Sequence, residues 1–97
     1  MKCAEAVRIL LACMPELKLR FRISELSVFG SVARDEARDD SDVDVMVSFD
    51  ATPTFTKFVE LKDYLEAQLG TRVDLVTRAG LKPRVRPHVE REALRVA

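Results

Sequence analysis

A chain of 97 residues has room for one domain but not for a catalytic domain with a separate recognition domain, and residues 1–97 read as a single domain. Hydrophobic residues make up 47% and charged residues 33%, the latter 16 basic and 16 acidic, which excludes the composition of a disordered chain. The zero net charge also removes the strongest electrostatic argument for nonspecific nucleic-acid binding, which draws on an excess of Lys and Arg to neutralise phosphates, so direct nucleic-acid binding is not expected, although local basic patches stay open.

No apolar stretch approaches the roughly 20 residues that span a bilayer. Charge interrupts Met1-Lys2-Cys3-Ala4-Glu5 before a signal-like core can form, so the expected location is the cytoplasm, with no membrane partner. Ala4, Val7, Leu10, Leu11 and Met14 repeat at helical spacing and predict an amphipathic helix over residues 2–14, stopped by Pro15. Cys3 and Cys13 then lie roughly 15 Å apart along one helix axis, beyond disulfide reach. Two cysteines and one histidine fall short of the four ligands of a zinc site.

Residues 23–29 suit a strand ending at Gly30, with a short helix beginning at Ser31. The mixed-sign run at 34–40 reads as a solvated helix end and loop. Residues 43–49, rich in β-branched side chains, give the strongest strand signal. Thr52-Pro53 predicts a helix start, Phe55, Phe58, Leu61, Leu65 and Leu69 mark one face, and Gly70 supplies the stop. A third strand is predicted over 72–77, and after the breaks at Gly80 and Pro83 a last helix over 88–96. Strands alternating with helices point to an α/β layer fold, with helices packed on a small sheet.

Three acids stand where a strand would pack better with apolar residues. Asp42 and Asp44 share one face of the second strand, because side chains at i and i+2 of a strand point the same way, while Val43 and Val45 turn to the core. Asp74 repeats the anomaly between Val73 and Leu75. Carboxylates so placed cost stability unless paired, exposed or coordinating, and if the two strands are neighbours the three can converge on hard cations such as Mg²⁺. Such a cluster suits two ions roughly 4 Å apart that clamp the attacking and leaving oxygens of a displacement at phosphorus. Gly30-Ser31, ten residues before Asp42, adds a turn where backbone N–H groups can approach phosphate and a hydroxyl can assist.

Gly30-Ser31-Val32-Ala33-Arg34, Ser41-Asp42-Val43-Asp44-Val45 and Val73-Asp74-Leu75-Val76 resemble the motifs of the polymerase-β-type nucleotidyltransferase superfamily. The small size and the tail from Gly80 to Ala93 are similar to the minimal nucleotidyltransferases, and the resemblance covers most of the chain. It implies a small mixed β-sheet flanked by helices, two Mg²⁺ ions held by Asp42 and Asp44 with Asp74 on the catalytic one, and ATP as substrate. Gly30, Ser31, Arg34 and Ser41 would bind the nucleotide. In-line attack by an acceptor hydroxyl on the α-phosphorus would release pyrophosphate. Proteins of this size in the family commonly act as antitoxins of helical HEPN-domain ribonuclease toxins, some by transferring AMP to a toxin tyrosine. One departure is Asp35, where many relatives carry Gly.

Two main functions are carried forward: a protein adenylyltransferase acting on a partner toxin, and a non-catalytic antitoxin that neutralises by binding alone. A split transferase acting on RNA ends or small hydroxyls is a third, and it would need a second chain to hold its substrate. His88 lacks an evident partner in sequence and reads as structural, and Tyr64 reads as an aromatic at the rim of the core. Arg34 is expected to pair with Asp35, Asp39 or Asp40 when no ligand engages it, and Arg78, Lys82, Arg84 and Arg86 read as a solvated loop open to triphosphate, RNA or an acidic surface.

Overall fold

The computed structural model describes all residues, 1–97. Its first helix, α1 (Cys3–Phe21), runs about two turns beyond the predicted stop. Pro15 withdraws the N–H that would donate to the Leu11 carbonyl, but both residues face solvent, where water reaches that carbonyl. Leu17 and Phe21 meanwhile continue the buried stripe, which comprises Cys3, Ala6, Leu10, Cys13, Met14, Leu17 and Phe21. The helix is therefore turned from the predicted face: Ala4 and Leu11 are exposed, and the two free cysteines act as small core residues.

Lys2 leaves the α1 N-terminus without a side-chain cap of its own. Asp35 takes that role from 32 residues away, its Oδ1 accepting from the Cys3 N–H at 2.7 Å. Asp35 has φ 56°, a left-handed conformation that Asp tolerates better than most residues. The position thus has a reason to be acidic where a glycine would ease the backbone. We expect Asp35→Ala, which loses the cap and keeps the strain, to destabilise by about 1–2 kcal/mol. Asp35→Gly, which trades one effect for the other, should stay nearer the parent in denaturant melts.

Strand β1 (Ile23–Phe29) leads into a single turn of helix, α2 (Gly30–Ala33), and after a loop β2 (Val43–Phe49) returns antiparallel to β1. Helix α3 (Phe55–Leu69) starts two residues later than Thr52-Pro53 suggested, because the Thr54 hydroxyl accepts from the Lys57 N–H and so caps the helix. It ends at Gly70 in the left-handed region, as predicted. Strand β3 (Val73–Thr77) then pairs parallel with β2. The sheet order is β3-β2-β1-β4, a small mixed sheet.

The last predicted helix is shorter and is followed by a strand. Helix α4 covers Arg86–Glu92, and β4 (Leu94–Arg95) pairs antiparallel with Val28 and Ser27. Two further bonds, Leu26 N–H to the Ala97 carbonyl and Val96 N–H to the Leu26 carbonyl, extend this pairing. A helix continued to Val96 would leave those β1 groups unpaired, and that cost outweighs the helical pattern.

Alternation along the strands divides the sheet. Leu26, Val28, Val43, Val45, Val47, Val73 and Leu75 are buried in one core with Leu10 and Leu17 of α1 and Leu61, Leu65 and Leu69 of α3. Phe58 packs at its edge, whereas Phe55, predicted for the same face, is 82% exposed at the first position of α3. Glu25, Ser27 and Met46 turn to the other face and line a small cavity with Glu90 and Ala93. Arg78 ties this side together by pairing with both Glu25 and Glu90. No helix is long and apolar enough to cross a membrane.

Candidate active site

The strand register assembles the candidate residues at one edge of the sheet. Phe29, the last residue of β1, stands opposite Asp44, and Asp44 stands opposite Asp74 across the parallel β2–β3 pair. Val43, Val45, Val73 and Leu75 are buried on the core side, so the two carboxylates project from the other face. Glu66 fixes the start of β3, its Oε2 accepting from the Val73 N–H at 2.8 Å.

Asp44 and Asp74 are close enough to share a hydrogen bond between carboxyl groups. Burial, the Asp74 charge and that hydrogen bond, with smaller contributions from Asp42 and Glu92, push the Asp44 carboxyl up to about 6. Asp42 lies one pleat earlier, and its Oδ1 pairs with Nε of the exposed Arg72 at 3.0 Å. The structure therefore brings two of the three predicted acids together and holds the third on an arginine. As placed, no three His, Cys, Asp or Glu side chains form a group able to hold an ion.

Gly30 is fixed by its surroundings. Its φ is +70°, and a Cβ there would lie inside contact distance of Asp44 Oδ2 and 3.0 Å from Asp44 Cγ. Glycine thus gives both the turn and the space that the carboxyl occupies. The Gly30 N–H donates to Glu92 Oε1 at 3.1 Å, and Arg34 Nη1 donates to Glu92 Oε2 at 2.9 Å. Arg34 Nε pairs with Glu36 at 3.0 Å. The partners of Arg34 are thus Glu36 and Glu92, not Asp35, Asp39 or Asp40: Asp35 is engaged at α1, and α4 brings Glu92 over the turn.

Ser31 is half-buried beside Gly30 in α2. The Ser41 hydroxyl accepts from the Arg38 N–H at 3.0 Å and braces the loop that delivers Asp42. His88 is exposed on α4, and Tyr64 packs at the edge of the core with its ring 5.7 Å from that of Phe21. Of the basic loop, Arg78 is engaged by two glutamates and Arg86 donates to the carbonyls of Ala79 and Leu81, leaving Lys82 and Arg84 exposed. Glu92 and Arg72 escaped sequence reasoning, since their roles depend on how α4 and β3 are placed.

A larger cavity lies at the far end of β2, among Phe49, Asp50, Phe55 and Phe58. It lacks a facing pair of carboxylates, so the chemistry favours the edge that holds Asp44 and Asp74.

Residues 8–96 match the nucleotidyltransferase domain family. Protein adenylyltransferase MntA of Thermococcus cleftensis is 49% identical over 92 residues, covering 95% of this chain and 93% of that protein. A solved structure assigned to a minimal nucleotidyltransferase superposes with a TM-score of 0.81 at 44% identity, covering 97% of this chain and 95% of the other. A toxin–antitoxin structure with AMP-PNP shares the fold, with a TM-score of 0.73 at 20% identity over 100% of this chain and 73% of that one. With its mixed four-stranded sheet and these relatives, the chain belongs to the nucleotidyltransferase domain family, as a minimal nucleotidyltransferase of the polymerase-β-type fold.

Proposed function

We propose that this chain is a single-domain, Mg²⁺-dependent protein adenylyltransferase of the cytoplasm, which moves AMP from ATP to a hydroxyl of a partner protein. The observation that carries the reading is the Asp44–Asp74 carboxyl pair beside the Gly30 turn. A partly buried carboxyl facing an exposed one, with a third acid two residues upstream, is a donor set that suits hard divalent cations. Asp42, Asp44 and Asp74 would hold two such ions once Asp42 leaves Arg72, whose side chain is 75% exposed. When bound, Mg²⁺ supplies charge neutralisation at the reacting phosphate.

The remaining roles belong to the protein. The Gly30 N–H, the Ser31 hydroxyl and Arg34 donate to triphosphate oxygens, and Ser41 keeps the loop in place beside them. Asp74 accepts the proton of the attacking hydroxyl. The new oxygen–phosphorus bond forms at the α-phosphorus as the bond to pyrophosphate breaks in line with it. The resemblance and the adenylyltransferase relative support ATP as donor and a protein as acceptor. The acceptor in this reading is a tyrosine of a HEPN-domain toxin, whose antitoxin this chain would be.

The test is the intact mass of the protein encoded beside this one, after incubation with this chain, ATP and Mg²⁺. We expect a gain of one or more AMP units and no gain with Asp42→Asn. A stable complex that silences the partner without any gain would replace this reading with neutralisation by binding alone.

A further inference from the structure

The transferase reading leaves Glu92 without a role, yet its carboxylate stands where one is least expected. It lies over the Gly30 turn, which packs against the Asp44 carboxyl, and its charge is felt at Asp44. A further acid on the Asp44 side of the turn is tolerated because both of its oxygens are satisfied, one by the Gly30 N–H at 3.1 Å and the other by Arg34 Nη1 at 2.9 Å. The Glu92 side chain is only 20% exposed, whereas Glu36, the other partner of Arg34, is 65% exposed. The donors that meet Glu92 are two of those that the transferase reading assigns to the triphosphate.

We propose that Glu92 is a built-in occupant of the phosphate site, which ATP must displace in order to bind. The inference rests on the transferase reading and deepens it. One N–H cannot serve a carboxylate and a phosphate oxygen together, and a triphosphate brought up to Glu92 would add like charge to a crowded edge. Displacement is structurally cheap. Glu92 is the last residue of α4, and rotation of its side chain frees Gly30 and Arg34 without unwinding the helix. Arg34 keeps Glu36 through Nε, so the guanidinium stays oriented while Nη1 turns to the ligand. The site would thus stay closed to weak anions and open to a ligand that outbids a tethered carboxylate.

Equilibrium binding of AMP-PNP and of inorganic triphosphate to the full chain, with Mg²⁺, tests this with Glu92→Ala and Glu92→Gln. Removing a charged competitor for two donors should tighten binding of both probes by about tenfold or more in Glu92→Ala. Glu92→Gln, which keeps an acceptor but loses the charge, should gain less. The two probes should gain alike, because the competition concerns phosphate alone. Thermal melts establish that each variant is folded, and if Glu92→Ala is not, Glu92→Gln decides. Unchanged or weaker binding in the folded variants, with the parent still binding AMP-PNP, overturns the role of Glu92 and leaves the transferase reading standing. No binding by parent or variants overturns both.

Discussion

Asp44→Asn should lower AMP transfer by about 10³-fold or more, since a metal-binding carboxylate at the reacting phosphate is worth several kcal/mol of barrier. The same change should make the metal-free protein more stable at pH 7. The Asp44 carboxyl titrates at about 6 in the folded chain against 3.8 ordinarily, because burial and Asp74 disfavour its charged form. A folded-state value above the unfolded one favours folding below pH 3.8, and that contribution is lost as pH rises through about 6. With allowance for the partial exposure of the site, the charge costs about 1 kcal/mol at neutral pH, or roughly 5 °C in melting temperature for a domain of this size. The melting temperature of the parent, set against that of Asp44→Asn, should therefore fall between about pH 4 and pH 7 in chelator. Parallel curves would mean that neither burial nor Asp74 raises the Asp44 carboxyl. Unchanged transfer would remove Asp44 from the site.

Gly30→Ala should be almost as damaging to transfer, by a different route. The added methyl meets the Asp44 carboxyl, which must rotate away from Asp74, and the backbone keeps a φ of +70° that Ala resists. We expect about 2 kcal/mol of destabilisation, shared between the strained backbone and the displaced carboxyl. Asp44→Ala on the Gly30→Ala background removes the clash and leaves only the backbone cost. The double variant should accordingly be destabilised by about 1 kcal/mol less than the sum of the single effects. Simple additivity in denaturant melts would show that Gly30 and Asp44 do not touch.

Where local chemistry decided the outcome, the sequence was a sufficient guide. β-Branched residues over 43–49, the glycine stop after Leu69 and acids amid strand valines reported the long elements and the strands that carry the acids. Reading failed where distant parts of the chain settle a local choice. Pro15 is harmless because the face it sits on is wet, which depends on where α1 packs. Leu94 and Arg95 leave the helix because β1 has an edge to fill. The site behaved in the same way. Asp44 and Asp74 were legible as strand acids, but their pairing follows from β2–β3 register. The engagement of Asp42 by Arg72 and of Arg34 by Glu92 has no local signature, since those partners lie 30 and 58 residues apart.

The place of β3 in the sheet gives this chemistry a mechanical side. β3 is an edge strand, held by backbone pairing to β2 alone, and it carries Asp74. Parallel pairing of this kind forms only after the whole crossover through α3 has closed, so it joins parts of the chain that meet late in folding. Repulsion between Asp44 and Asp74 acts across that same seam, pushing outward where the sheet has a neighbour on one side only. The seam is therefore the natural place for partial opening of the native fold, and whatever neutralises the carboxyl pair also fastens the edge of the sheet.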